Sequence, residues 1–315
     1  MPLIIGMDEA GYGPNLGPLV VTATVWEVPG DPRKCDLWKL FAPVVSPDPA
    51  QDDSQIQIAD SKQVYTPSKG LANLEAGVHC GLRLCDRMAT SFHRLWDKIA
   101  PDSSTHRPTE PWFAHDDLDL PVATKASRVE APWLAWQELC RNSGVRLREI
   151  RSDIVLTERF NSLTREHASK GRALSHITLN LLSRVWSLDN DPRALVIADK
   201  HGGRNRYQEL LPLAVEDRFI ICHEESTPSS RYRVGEAEIR FEMQAERYLP
   251  VALASMVSKY LREISMKQFN SFWKKYLPDL LPTAGYPGDA RRFHTAIANC
   301  RKELRISDSI LWRDK

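Results

Sequence analysis

The chain has 315 residues, 42% hydrophobic and 26% charged, the make-up of a globular protein with one large core or two small ones. Its net charge of +1 excludes a globally basic surface, so any contact with nucleic acid falls to a local basic face. Six scattered cysteines without a CxxC pair speak against a disulfide framework or structural zinc. With no apolar run of membrane-spanning length and no leader ahead of the first strand, the expectation is a cytoplasmic protein.

"LIIGMDEA" and "GPLVVTATVWEV" are predicted as two antiparallel strands joined by a glycine-rich turn. Residues 29–55, rich in proline and aspartate, read as loop with short structure. "IADSKQVYTPSKG" follows, and a helix is predicted from Ser68 to about His93. Residues 98–122 read as an insertion or partly ordered loop. A helix through "EAPWLAWQELCRNSG" and a strand through "VRLREIRSDIVLT" come next, then a long helical stretch from Phe160 to Leu188. "RALVIAD" is a buried strand ending in an acid, and further strand material follows to residue 246. "PVALASMVSKYLREISMKQFNSFWKKYL" is a strong helix, and residues 254–315 as a whole read as a helical C-terminal part. Together these elements predict one α/β domain over 1–315.

Two carboxylates, Asp8 and Glu9, end the first apolar run, and Asp199 ends another. Glu246 stands just before the strong helix, among the further candidates Glu236, Glu238 and Glu242. Strand ends are favoured places for sites in α/β sheets. Three or four convergent carboxylates form the usual cage for one or two Mg²⁺ or Mn²⁺ ions. Two such ions can activate a water and stabilise the leaving oxygen in phosphodiester hydrolysis. An acid at a strand end also serves simply as a turn residue or cap.

After Asp199, "KHGGRNRYQ" gathers Lys200, His201, Arg204 and Arg206 around two glycines. Such a loop suits close approach to a phosphate and bidentate arginine contacts, or is an ordinary solvated turn. His201 is the one histidine near a proposed ligand, and a role in proton transfer is open to it. No G-x-S-x-G elbow points to a serine hydrolase.

"GMDEAGYGPNLGPLVV" resembles the opening of the type 2 ribonucleases H, the ribonuclease HII and HIII group. "DSKQV" at Asp60–Val64, "LVIAD", "ASMVSKYLRE" and "GYPGDARRFHTAI" are similar to later motifs of that family, in family order. The resemblance implies a ribonuclease H-like fold, with a central mixed β-sheet flanked by helices and a helical C-terminal region. It implies a metal-binding hydrolase, an endonuclease that cuts the RNA strand of RNA–DNA hybrids with Mg²⁺ or Mn²⁺ and leaves 5′-phosphate and 3′-hydroxyl ends. Its four acids fall on Asp8, Glu9, Asp199 and Glu246 as catalytic residues and metal ligands. The fourth departs from the pattern, glutamate replacing aspartate at a shifted spacing, with Glu242 as the substitute if Glu246 points away.

By the same resemblance Gly11, Tyr12, Gly13, Ser61 and Lys62 lie along the substrate, while Arg204 and Arg206 would clamp its phosphates. Lys259 is expected to support the carboxylates or a phosphate, with a structural role on the helix flank as the alternative. Tyr12 stands where the family carries a basic residue, so a nuclease with an altered nucleic-acid substrate, or a non-catalytic nucleic-acid binder, is the alternative.

Overall fold

The computed structural model describes residues 1–314. In chain order, strands β1 (Leu3–Ala10) and β2 (Leu19–Glu27) lead to helix α1 (Leu37–Phe41), the short strands β3 (Val45–Ser46) and β4 (Ile56–Gln57) and helix α2 (Ser61–Val64). Helices α3 (Ala72–Leu84), α4 (Phe92–Ile99), α5 (Pro101–Ser104) and α6 (Ser127–Ser143) precede strand β5 (Arg146–Val155). Helices α7 (Thr157–Glu166) and α8 (Lys170–Val185), strand β6 (Ala194–Asp199) and helix α9 (Pro212–Val215) follow. Strands β7 (Ile221–Glu225), β8 (Ser229–Val234) and β9 (Ala237–Glu242) then give way to helices α10 (Leu249–Tyr276), α11 (Pro287–Ala296), α12 (Ala298–Glu303) and α13 (Asp308–Leu311).

Seven strands form one mixed sheet in the order β5-β2-β1-β6-β9-β8-β7. β1, β6 and β9 run parallel at its centre, with antiparallel strands on both flanks. The central strands are buried on both faces because helices cover both. Ile4 faces the core under α3, α6 and α10, whereas Leu3, Ile5 and Met7 face the core under α8. The architecture is the expected one, a central mixed sheet flanked by helices with a helical C-terminal part.

Gly6 fixes the closest crossing, since a Cβ there would lie 2.2 Å from the Pro250 carbonyl carbon. Only glycine lets the start of α10 settle onto β1 at this height. That contact sets Ser255 and Ser258 of α10 beside the acidic end of β1, and the Ser258 hydroxyl donates to the Asp8 carbonyl at 3.1 Å.

Three expectations change. The helix predicted over 68–93 is two helices, broken where Asp86 takes a left-handed φ of 56°. The long helical stretch divides at Ala168, which has φ 51°.

Residues 98–122 are not a loose insertion but short helical turns packed on the core. Trp112 packs edge-on against Phe269 at 4.9 Å, and the fully buried Glu75 accepts the N–H groups of Val122, Ala123 and Thr124 at 2.6 to 2.7 Å. Sequence composition hid this because the segment's partners, Phe269 and Glu75 among them, lie far away in the chain. No helix among the described residues is long and apolar enough to cross a membrane, and all six cysteines are free.

Candidate active site

The parallel pairing of β1 with β6 places Met7 opposite Ala198, so Asp8 and Asp199 leave adjacent strands at the same end of the sheet. Asp199 pairs in register with Glu242 on β9, and the turn after β9 swings Glu246 back toward Asp199. Gln244 makes that turn with a left-handed φ of 57°. The Ala245 N–H, at its inner side, donates to Asp199 Oδ1 at 3.2 Å. The Glu9 N–H donates to Asp8 Oδ1 at 2.8 Å.

The four carboxylates feel one another. Burial pushes Asp8 well above the ordinary carboxylate range, and the charges of Glu9, Asp199 and Glu246 push it further. Burial, Asp199 and Glu246 raise Glu9, against the opposing pull of Lys62. Asp199 and Glu246 are raised by burial and by Asp60. Lys62 is the cation at the centre. Burial works against its charge, yet Asp60, Glu246, Asp8 and Asp199 together hold it protonated more firmly than usual.

Asp60 is the acid that sequence reasoning passed over. It belongs to "DSK", where attention fell on Ser61 and Lys62, and its side chain caps α2 by accepting the Lys62 N–H at 3.0 Å. Among the described residues no three His, Cys, Asp or Glu side chains stand together as a formed metal-binding group. The donor chemistry nevertheless fits a hard cation. All four are carboxylates raised first by burial and then by neighbouring negative charge, and oxygen donors of this kind suit Mg²⁺ or Mn²⁺.

Glu242 is not available as the substitute. It is buried, ion-paired with Arg247, and accepts the Tyr248 hydroxyl at 3.1 Å.

The turn after β1 lies beside this cluster. Gly11 has φ 91°, and a Cβ there would meet the Arg262 side chain and the Pro18 carbonyl at 2.6 Å, so glycine is required. Gly13 is exposed with open space around it. Tyr12 leans away from solvent, its hydroxyl beside Gly202 and its ring 5.8 Å from Lys170 Nζ. Burial and the Glu9 charge raise its phenol, while Arg204 and Arg313 act the other way. A polar cleft of about 500 Å³ runs past it, lined by Gly171, Gly202, Gly203, Arg204 and Arg206.

Other sequence candidates have structural partners. Ser61 is buried and accepts the Ser255 hydroxyl at 3.2 Å, one residue after the helix cap Asp60. Lys259 pairs with Glu263 at 2.5 Å and sits 4.9 Å over the Tyr65 ring, so its charge goes to Glu263 rather than to the carboxylates.

Lys200 is buried and donates to Asn205 Oδ1 at 2.9 Å and to the Ser226 carbonyl at 2.5 Å. His201 is buried with Nδ1 3.0 Å from the Ser175 hydroxyl, and burial drives it down to about 3, which removes it as a proton carrier.

Among solved structures, the chain is similar to the ribonuclease H2 of Pyrococcus horikoshii OT3, at 15% identity and a TM-score of 0.48 over 98% of this chain and 92% of that one. It is similar to the RNase HII in the Archaeoglobus fulgidus PCNA:RNase HII complex, at 16% identity and a TM-score of 0.42 over 99% and 95%. It is also similar to Aquifex aeolicus RNase H3, at 15% identity and a TM-score of 0.37 over 98% and 70%. No family model and no curated protein matches the chain.

Proposed function

We propose that this chain is a divergent type 2 ribonuclease H, a divalent-metal-dependent endonuclease that hydrolyses the RNA strand of RNA–DNA hybrids. The observation that carries the reading is the gathering of Asp8, Glu9, Asp199 and Glu246 around one lysine, each carboxylate raised by burial and by its neighbours. Clustered acids repel and destabilise a fold, so their presence at converging strand ends suits a cation-binding task. The ordered motifs from "GMDEAGYG" to "GYPGDARRFHTAI" supply the family.

Asp8, Glu9, Asp199 and Glu246 would hold the metal. When bound, Mg²⁺ or Mn²⁺ lowers the pKa of a water and stabilises charge on the leaving oxygen of a phosphodiester. Lys62 presents a permanent positive charge amid the acids and draws the scissile phosphate toward them. The Gly11–Gly13 turn lets the strand backbone come close, with Gly13 open to solvent. Arg204 and Arg206, on the polar cleft beside Tyr12, track the neighbouring phosphates. Ser61 and Lys259 hold α2 and α10 in place behind the carboxylates.

One observation favours an altered substrate within this class. Tyr12 brings no charge to the turn and lies against Gly202, so contact there is by stacking or packing rather than by an ion pair. The test compares three labelled duplexes: an RNA–DNA hybrid, DNA with one embedded ribonucleotide, and plain DNA. Each is incubated with Mg²⁺, Mn²⁺ or EDTA, beside the Asp8→Asn/Asp199→Asn variant. Metal-dependent cutting of the hybrid, absent in the variant, is expected. A folded protein that binds these duplexes and cuts none of them overturns the reading.

A further inference from the structure

The acid cluster stands between two clefts of opposite character. The cleft on the Tyr12 side is polar and carries Arg204 and Arg206. The cleft on the other side is larger, about 820 Å³, and begins at Asp60 and Glu246. Its outer wall is built by α1 and β3, within the segment read from sequence as mostly loop. Trp38, Ala42 and Pro47 supply apolar surface, and Gln63 and Gln244 supply carboxamides. The volume falls within the roughly 300–1,000 Å³ of small-ligand clefts.

Three details show that this wall is built rather than incidental. The Trp38 indole N–H donates to the Arg247 carbonyl at 2.7 Å, which fixes the ring from the far side of the turn that carries Glu246. Gln244 holds its left-handed φ of 57° two residues before Glu246, a costly conformation for a residue with a side chain. The side chains of Gln63 and Gln244 are exposed, and no hydrogen bond ties either one to the protein among the described residues.

A phosphate backbone seeks charge, as the cleft on the Tyr12 side offers. An apolar wall with an aromatic ring and unengaged carboxamides suits a nucleobase taken out of its stack, where the ring covers the base face and the amides meet its polar edge. The rim cations are engaged within the protein, Arg247 with Glu242 and Lys39 with Asp36 at 3.5 Å, so the cleft selects by its apolar and carboxamide surface rather than by free charge.

We propose that this cleft receives one unpaired nucleotide of the substrate strand, next to the phosphodiester at the acid cluster, with its base against Trp38 and its edge toward Gln63 and Gln244. The inference rests on the reading of the cluster as a phosphodiester-cleaving centre. It gives the substrate class as a hybrid or junction with a locally unpaired nucleotide.

The test uses the intact chain in EDTA, so that binding is read without cleavage. Duplexes with one RNA–DNA junction carry 2-aminopurine at successive positions around it, either paired or opposite an abasic site. At one position next to the junction, the unpaired probe is expected to change fluorescence on binding and to raise affinity about tenfold over the paired duplex. Both effects are expected to disappear in Trp38→Ala and in Gln63→Ala/Gln244→Ala. The second variant alters only exposed side chains and so retains the fold.

Equal affinities and unchanged fluorescence at every position overturn the inference, whatever else fills the cleft. If the hybrid is nevertheless cut in Mg²⁺, the proposed function stands without it. A preference for the unpaired nucleotide in a protein that cuts no hybrid leaves the cleft assignment standing and overturns the proposed function. Failure to bind any of the duplexes overturns the inference, and failure to cut the hybrid in Mg²⁺ as well overturns both.

Discussion

Arg313 donates a hydrogen bond to the Gly11 carbonyl at 2.6 Å across 302 positions of sequence. Its guanidinium also reaches the carbonyls of Gly17 and Tyr12, each at 3.3 Å, and lies 3.9 Å over the Phe160 ring. The side chain is fully buried, and burial lowers its pKa to about 9. Asn161 clasps the same segment, donating to the Trp312 carbonyl at 2.9 Å and accepting the Asp314 N–H at 2.8 Å. The glycine-rich turn beside the acids is thus held from beneath by a segment at the other end of the chain.

Arg313→Ala strands three carbonyls and leaves a cavity. A loss on the order of 3 kcal/mol is expected from unsatisfied buried polar groups and lost packing. Arg313→Lys keeps a charge but not the fork, so it is expected to lose less. Urea denaturation of both variants measures the difference, and an unchanged midpoint in Arg313→Ala would show that the segment adds nothing to the turn.

Asp199→Asn separates stability from activity. Removing one charge from a mutually repelling set is expected to raise stability by about 1 kcal/mol while abolishing metal-dependent cleavage. Thermal unfolding without metal, run beside a hybrid-cleavage assay, reads both. A variant that is less stable and still active would contradict the assignment.

The raised carboxylates fix the sign of the pH dependence. Between the ordinary value of 4.5 and the raised folded value, Glu9 binds more protons folded than unfolded, and Asp8 behaves alike from 3.8 upward. Stability therefore falls as pH rises through this window in EDTA, because the unfolded chain releases the protons first. Mg²⁺, which favours the ionised carboxylates, is expected to offset the fall at the upper end. Unfolding midpoints from pH 4 to pH 8, with and without Mg²⁺, test this, and a metal-free protein that gains stability over the range argues against the shared burial of these acids.

Glu246 and Glu242 are told apart by substitution. Glu246→Ala is expected to lose cleavage with little change in stability. Glu242→Ala deprives Arg247 and Tyr248 of their partner and is expected to cost about 1–2 kcal/mol. Equal effects of the two substitutions on both readouts would refute the distinction.

Arg204→Ala and Arg206→Ala report on the phosphate track. Each is expected to lower the slope of log affinity against log salt by about 1, uniformly across sequences. Titrations of a labelled hybrid at several salt concentrations in EDTA supply the slopes. Slopes equal to that of the unsubstituted chain would place the backbone elsewhere.

The sequence by itself determined the central strands, the long helix α10 and the acids at the strand ends, because these rest on local signals. Apolar runs, helical periodicity and glycine turns each lie within a few residues of one another, and the family motifs keep their order along the chain. It could not determine which side chains meet. Asp8 and Asp199 come together only because β1 and β6 pair in parallel. Glu246, rather than Glu242, turns to them because Arg247 and Tyr248 hold Glu242 elsewhere.

Lys259, Ser61 and His201 look like site residues in one dimension, and only the folded chain shows the protein partner each one has, Glu263, Ser255 and Ser175. Asp60 stayed hidden for the converse reason, its local role as a helix cap masking its nearness to the cluster. The hold of Arg313 on the first glycine turn and the cleft beside Trp38 were likewise decided by tertiary structure, because each is made by segments that only the packed sheet and its helices bring into contact.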